Sequence, residues 1–481
     1  MFLGIDLGTS GVKSVIIDEG QTLVAEASSR PLEVTRSRPG WSEQDPDLWW
    51  DAVCESLDAL AASHPGAMAE VSGIGLSGQM YGATVLDGAD KPLRSAILWN
   101  DTRSAAECDE LAAAVPDLLG RVGRNPTPGV TASKLMWLRR HEPETYAAVR
   151  TVLLPKDYVR LRLSGDKASD LADSSGTMWV DLAARDWSGP MLDASGMDRA
   201  QMPSLHEGTE PTGTLRAGLA QRWGMGRRPV LAAGGGDNAC GACGSGVIAD
   251  GEGTVSLGTS GVLFVANDRP RPAGAHAIEA LCHAVPGRWH QMSVVLSATS
   301  CLTWLGARLK RSPAELVALL GDDPRPATDL IFVPFLDGCW SPRSDGTVRG
   351  GFMGLAHQHD DAAMAQAVMQ GVAFAIRECA EAFGESGAEL RRLLALGGGS
   401  RSPLWMSMLA TNLGVELDVP CTSALGTAFG AARLGMIAAT GQPVAEVLTR
   451  PQIGATIGPV AAHADSYTQA FKRWKAFASL C

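Results

Sequence analysis

The sequence carries little charge for its length, and the balance runs against cations. Of 481 residues, 41 are Lys or Arg and 52 are Asp or Glu, together 19% of the chain. No basic stripe is present of the kind that neutralises a nucleic-acid backbone, so nucleic acid is not an expected partner. No run of about 18 apolar residues occurs, so no membrane-spanning helix is expected. The opening MFLGIDLG lacks the basic stretch that leads into the apolar part of a secretory signal. With ten scattered cysteines, this predicts a cytoplasmic protein with reduced thiols. Metal-ligand spacings are scarce too. Cys240 and Cys243 make one CxxC among small residues that read as a packed helix, and His357 and His359 read as surface or core residues rather than metal ligands.

Two common nucleotide fingerprints are also absent. A P-loop needs Gly immediately before Lys-Ser, whereas here Val12 precedes Lys13-Ser14 and the segment runs on into a strand pattern. The G-x-G-x-x-G dinucleotide turn is missing at the same place. Neither a Walker-type NTPase nor a Rossmann dehydrogenase is supported.

Glycine is what the chain has in excess: 55 residues, about 11% against a usual level of about 7%. The length allows two to four domains at roughly 100–200 residues each. The hexapeptide Leu-Gly-Thr-Ser-Gly-Val occurs twice, at Leu7–Val12 and Leu257–Val262, each time between β-rich runs. Each copy reads as strand, turn and strand, which predicts a duplicated domain with halves meeting near residues 240 to 250, a glycine-rich stretch that could serve as a hinge. Elsewhere the patterning alternates in the α/β manner. Helices are expected over 46–62 (capped by Asp45), 103–114, 132–140, 215–223, 297–309, 360–384 and 403–413. Strands are expected over 71–76, 83–86, 151–154, 230–233, 329–334 and 392–396.

The glycine turns suggest phosphate binding. In Gly4-Ile5-Asp6-Leu7-Gly8-Thr9-Ser10-Gly11 the glycines let backbone N–H groups approach an oxyanion, Thr9 and Ser10 add donors, and Asp6 could hold hydrated magnesium. From one such loop alone, a tight hairpin with no ligand is the favoured reading. The second copy has Ser256 in place of Asp6, so the work would divide, with the metal near Asp6 and phosphate contacts from Gly258, Thr259 and Ser260. A third turn, Gly397-Gly398-Gly399-Ser400, joins an apolar strand to a helix, where a flat ligand can lie against bare backbone. In PVLAAGGGDNACGACGSG an apolar strand ends in three glycines before Asp237. That carboxylate reads as a helix N-cap or as a base that accepts a hydroxyl proton while the oxygen attacks phosphorus. Asn100 and Asp101 could hydrogen-bond a polyol or cap the following helix. Trp304 could line a cleft or pack in the core.

Taken in order, GIDLGTSGVKSVIID, GWSEQDP, TASKLMWLRRHEP (through Lys134 and Trp137), AGGGDNACGACGSG, SLGTSGV, GGFMGLAHQHD and ALGGGSRSPLW resemble the FGGY carbohydrate kinases over nearly the whole chain. Within that family, SGQMYGATVLD, ILWNDTRS and LLPKDYVRLRLSG look most like the xylulokinase branch. The resemblance implies an α/β fold of two duplicated actin-like (ribonuclease H-like) ATPase domains around a central cleft. A sugar-binding half would span residues 1–245 and an ATP-binding half 246–481. It implies ATP-dependent phosphorylation of a ketopentose such as D-xylulose. Asp237 would be the catalytic base and Asp6 the acidic residue near Mg2+. Gln79, Met80, Tyr81, Asp237 and Asn238 would lie at the sugar. Thr9, Ser10, Gly258, Thr259, Ser260, Gly398 and Gly399 would lie at the nucleotide. Tyr81 departs from the Met-His pair of that branch, offering a phenol in place of an imidazole. A kinase for ribulose, a deoxy sugar or glycerol, or an actin-like ATPase with a protein partner, are the rival readings, and a homodimer is the candidate assembly.

Overall fold

Both hexapeptide copies fold as hairpins, and each hairpin seeds one sheet. The computed structural model describes residues 1–274, 276–421 and 426–481. In the first half, Phe2–Leu7 (β1), Val12–Ile17 (β2) and Leu23–Ser28 (β3) form an antiparallel meander. Gly73–Gly78 (β4) adds parallel to the other edge of β1. Pro211–Thr214 (β5) and Val230–Ala232 (β6) extend the sheet to the order β5-β6-β4-β1-β2-β3, with Gly235–Gly236 (β7) beside the end of β4.

The second half repeats that plan. Glu252–Leu257 (β8) and Gly261–Asn267 (β9) form the hairpin, Glu279–Cys282 (β10) and Trp289–Val295 (β11) extend it on one side, and Arg392–Leu396 (β12) lies parallel to β8 on the other. Leu417–Pro420 (β13) and Ile453–Ile457 (β14) complete the order β10-β11-β9-β8-β12-β13-β14. In both sheets the first strand of a hairpin thus ends between its antiparallel mate and a parallel neighbour, which brings two turns to the same edge.

The main helices are Pro46–Ser63 (α1), Ala105–Ala114 (α2), Thr131–His141 (α3), Pro155–Ser164 (α4), Asp237–Ser245 (α5), Thr299–Leu309 (α6), Asp361–Glu385 (α7), Pro403–Leu413 (α8), Thr427–Thr440 (α9) and Ala461–Ala478 (α10). Asp45 caps α1 as expected, accepting from Asp47 N at 3.0 Å. The helix expected over 215–223 is shorter, Ala217–Arg222. Helices α4, α9 and α10 were not expected. On the first sheet, α1 buries Trp49, Val53, Leu57 and Leu60, each worth roughly 1.5–3 kcal/mol relative to exposure. Trp304 packs on Phe332 and Phe352 beside the second core, which decides for the packing reading.

Two helices cross between the halves. Late in the chain, α9 lies across β1 and β4 of the first sheet so closely that a Cβ on Gly4 would come within 1.9 Å of Ala428 O, and one on Gly75 within 1.7 Å of Ala431 O. Conversely, Ala242 of α5 is buried with Phe264, Ala266, Met292 and Leu394 of the second sheet. The two helices touch backbone to backbone, a Cβ on Gly430 falling 1.8 Å from Cys240 O. The stretch around residues 240 to 250 is thus only partly loop. Residues up to Ser245 are helical, and the small side chains there serve this contact. Cys240 and Cys243 are buried in it, and burial pushes the Cys243 thiol up to about 12.

Candidate active site

The apolar strand β6 ends where β4 begins to pair with Gly235-Gly236, and α5 starts at once after it. Gly234 turns the chain at φ 86°, where a Cβ would lie 2.1 Å from Leu76 O. Gly236 gives way to Met80, whose Cγ and Sδ would each be 2.8 Å from an added Cβ. Because strand pairing runs through Gly236, that residue takes the N-cap position and makes no side-chain cap. The N-cap reading of Asp237 is thus corrected. Asp237 is the first residue of the helix, where a carboxylate favours the helix dipole. Its Oδ1 accepts from Asn238 N at 2.7 Å and Asn238 Nδ2 at 2.8 Å. Burial, then the charge of Asp6, pushes the Asp237 pKa up to about 7, against the pull of the Asn238 donors.

Asp6 stands at the end of β1. Ser77 Oγ donates to its Oδ1 at 2.8 Å, and Thr427 Oγ1, at the start of α9, donates to its Oδ2. Burial raises its pKa and the two hydroxyls and Lys13 counter that rise. The adjoining turn is stitched to Gln79 and Gln44. Thr9 Oγ1 donates to Gln79 Oε1 at 2.9 Å, Gln79 Nε2 to Gln44 Oε1 at 2.9 Å, and Gln44 Nε2 to Thr9 O at 2.8 Å. Gln79 and Thr9 are therefore engaged with each other, while Ser10 is exposed. Met80 and Tyr81 are buried, and the Tyr81 hydroxyl donates to Glu279 at 2.6 Å.

The second turn closes by Gly258 N donating to Ser260 O at 3.0 Å, and α6 braces it. Thr299 Oγ1 donates to Gly258 O at 2.7 Å, and Ala298 N to Thr259 O at 2.8 Å. Thr259 is exposed and Ser260 half-buried. At the third turn Gly397 and Gly399 are packed against Leu257, where added Cβ atoms would meet Leu257 O and Cβ at 2.6 Å each, whereas a Cβ on Gly398 would meet nothing within 4 Å. The two glycine turns of the second half thus touch, and Gly398 alone faces open space.

Residues 1–244 match the N-terminal domain, and residues 253–439 the C-terminal domain, of the FGGY family of carbohydrate kinases. The chain belongs to that family. Among curated FGGY kinases it is 45% identical over 441 residues to the xylulose kinase of Escherichia coli (strain K12), covering 91% of this chain and 90% of that one. Its identity to the xylulose kinase of Klebsiella pneumoniae is 43% over 440 residues, with 91% and 90% covered. The crystal structure of a xyloylose kinase from Brucella ovis superposes with a TM-score of 0.96 at 47% identity, covering 99% of this chain and 98% of that one. The duplicated α/β fold implied by the motifs is that of the family.

Several residues that hold the candidate site residues were not foreseen. Ser77 and Thr427 hold Asp6, Glu279 and Arg124 hold Tyr81, and Trp99, half-exposed, donates to Thr9 Oγ1 at 3.0 Å. Lys156 Nζ lies 2.5 Å from both Asp157 and Asp170 and 3.6 Å from Asp173. Burial opposes its charge, yet the three carboxylates outweigh it and push its pKa up. Ser77, Trp99 and Lys156 stood in quoted motifs without being singled out; Thr427, Glu279 and Arg124 lie in none. Asp101 is a correction: it is buried and accepts from Arg103 N at 3.0 Å, Arg103 Nη2 at 2.7 Å and Ser42 N at 2.6 Å, but the N-cap of α2 is Ser104. Among the described residues, no group of three or more His, Cys, Asp and Glu side chains could hold a metal ion by itself.

Proposed function

We propose that this chain transfers the γ-phosphoryl group of ATP to a ketopentose, D-xylulose giving D-xylulose 5-phosphate, with residues 1–245 binding the sugar and 246–481 the nucleotide. The observation that carries the reading is the Asp237 carboxylate. It directly follows Gly236, which packs on Met80, and stands under the charge of Asp6 with its pKa lifted to about 7, the setting of a general base at neutral pH. The sequences and folds of the xylulose kinases it resembles support the choice of sugar. Asp237 takes the proton of the acceptor hydroxyl as that oxygen bonds to phosphorus and the bond to ADP breaks. Asn238 steers the carboxylate, and the backbone N–H groups of Thr259 and Ser260, on the turn that Gly258 closes, donate to phosphate oxygens. Asp6 offers hard oxygens that already accept two hydroxyls, a donor set suited to hydrated magnesium through water. When bound with ATP, magnesium supplies the charge that screens the phosphates.

ADP release coupled to a panel of pentuloses, hexuloses and polyols tests the reading. D-xylulose should give the highest kcat/KM, and ADP release that no sugar or polyol stimulates would sink it. A sister substrate is favoured by one observation: the Tyr81 hydroxyl is spent on Glu279, so the pocket presents one donor fewer than the usual imidazole would. The same panel separates the two.

Because Asp237 must be ionised to act, kcat/KM for the sugar should rise with pH through about 7. At pH 6 it should stand at about a tenth of its plateau, since one unit below a pKa about a tenth of the base is ionised. An acid limb near pH 4 would contradict this. Gly398→Ala should leave the thermal midpoint unchanged, since its Cβ meets open space, while raising the KM for ATP about tenfold, the cost of roughly 1.4 kcal/mol of lost contact. An unchanged KM would move the nucleotide off this turn.

A further inference from the structure

The residue that departs most from the family pattern at the sugar turn is held from the other half of the chain. Tyr81 has φ 64°, a left-handed conformation that a non-glycine residue keeps only when its surroundings impose it. Lys134 Nζ and Thr131 Oγ1, both on α3, donate to its carbonyl oxygen at 2.8 and 3.1 Å. Its ring rests against Gly176, where a Cβ would come within 2.0 Å of Cε1. Its hydroxyl donates to Glu279 Oε2 at 2.6 Å, and Glu279 Oε1 is 2.6 Å from Arg124 Nη1. The Arg124 guanidinium in turn stands 5.2 Å from the centre of the Tyr81 ring, within range of a cation–π contact.

Glu279 begins β10, the last strand of the second sheet, and that strand docks on the first half. Ala280 N donates to Gly123 O at 3.1 Å, Cys282 N to Ser175 Oγ at 3.2 Å, and Leu281 packs with Met80 and Tyr81. Glu279 and Arg124 are both less than 10% exposed at the side chain, so their pairing is a desolvated one and the phenol adds a charge-assisted hydrogen bond to it. Burial and the charge of Glu279 push the Tyr81 pKa well above its ordinary value, so the hydroxyl stays a donor. Its single proton is committed to Glu279.

We propose that Glu279, reaching over from the second half, and Arg124 are positioning residues for the sugar turn. Through the Tyr81 hydroxyl they fix the Met80–Tyr81 backbone against Gly236 and so set where the acceptor hydroxyl meets Asp237. The aromatic side chain acts as a strut, and its hydroxyl donates no hydrogen bond to the ketose. This rests on the reading of Met80 and Tyr81 as the sugar turn.

Tyr81→Phe, Glu279→Gln and the double variant, assayed beside the unaltered chain, test it. Phe keeps the ring and loses the hydroxyl. Gln keeps an acceptor for the phenol and loses the charge that Arg124 pairs with. Each single variant should raise the KM for the best ketose about tenfold, with the KM for ATP within about twofold, and the double variant should raise ketose KM no further than the larger single, because both break one linkage. Multiplying effects in the double variant, or equal rises in both KM values, would overturn the positioning role. So would an unmoved ketose KM in both singles. If Glu279→Gln does not fold, Arg124→Lys, which keeps the charge without the fork, should give a smaller rise confined to the ketose KM; a rise shared by ATP overturns the proposal. Absence of ketose-stimulated turnover in the unaltered chain would instead overturn the functional reading, which separates the two failures.

Discussion

Replacing Asp237 by Asn should lower sugar phosphorylation about a thousandfold or more while leaving ATP binding intact and making the protein more heat-stable at pH 8. Asn has nearly the same shape and can keep the hydrogen bonds to Asn238, but it accepts no proton, and a positioned base contributes typically about 10²–10⁴-fold. The stability half follows from linkage. The carboxyl pKa is raised from 3.8 to about 7 in the folded chain, so the folded state binds its proton more tightly than the unfolded state does. Stability is then lost as pH rises from about 4 to about 7, and above 7 the full burden of the buried charge is carried. Asn removes that burden. The thermal midpoint of Asp237→Asn should therefore exceed that of the unaltered chain by a few degrees at pH 8, with the gap closing as pH falls toward 4. Two measurements check the two halves: coupled turnover, where near-normal rates would sink the base, and melting at several pH values, where a gap independent of pH would sink the buried-charge account.

The same residue shows what the sequence discloses and what it withholds. Three glycines followed by Asp mark a bare strand end with a carboxylate at its mouth, and both hexapeptides mark hairpins, because turn chemistry is local. For the same reason the expected strand over 392–396 and helix over 403–413 match β12 and α8 residue for residue. The lift in the Asp237 pKa is not local, since it needs Asp6, 231 positions earlier in the chain. The grip on Tyr81 spans 198 positions to Glu279, and that on Asp6 spans 421 positions to Thr427. Neither partner lies in a motif. Helix α9 was hidden for a related reason. Its stretch TAFGAARLGM reads as weakly patterned small residues, since Ala428, Ala431 and Gly435 were fitted to the first sheet rather than to any neighbour in sequence.

That fit gives the second large effect. Gly75→Val should destabilise the fold by about 3 kcal/mol or more, at or beyond the usual range for forcing extra atoms into a packed interior. Even the first added carbon would lie 1.7 Å from Ala431 O, 2.6 Å from Ala431 C and 3.0 Å from Gly435 N. All three are helix backbone, so no side chain can rotate away; either α9 lifts from the sheet or β4 is displaced. Lifting α9 would also withdraw Thr427 from Asp6. The carboxylate would lose one of the two hydroxyls that hold it, and its pKa, already raised by burial, should rise further. Loss of activity should accordingly exceed what the unfolded fraction accounts for, with the KM for ATP rising in the molecules that remain folded. Gly75→Ala should show the same signs at lower amplitude, and Gly398→Ala, whose Cβ meets open space, is the matched control for stability. A melting midpoint for Gly75→Val equal to that of the unaltered chain would mean that α9 is not seated on β4, and with it the link from the second half to Asp6 would fall.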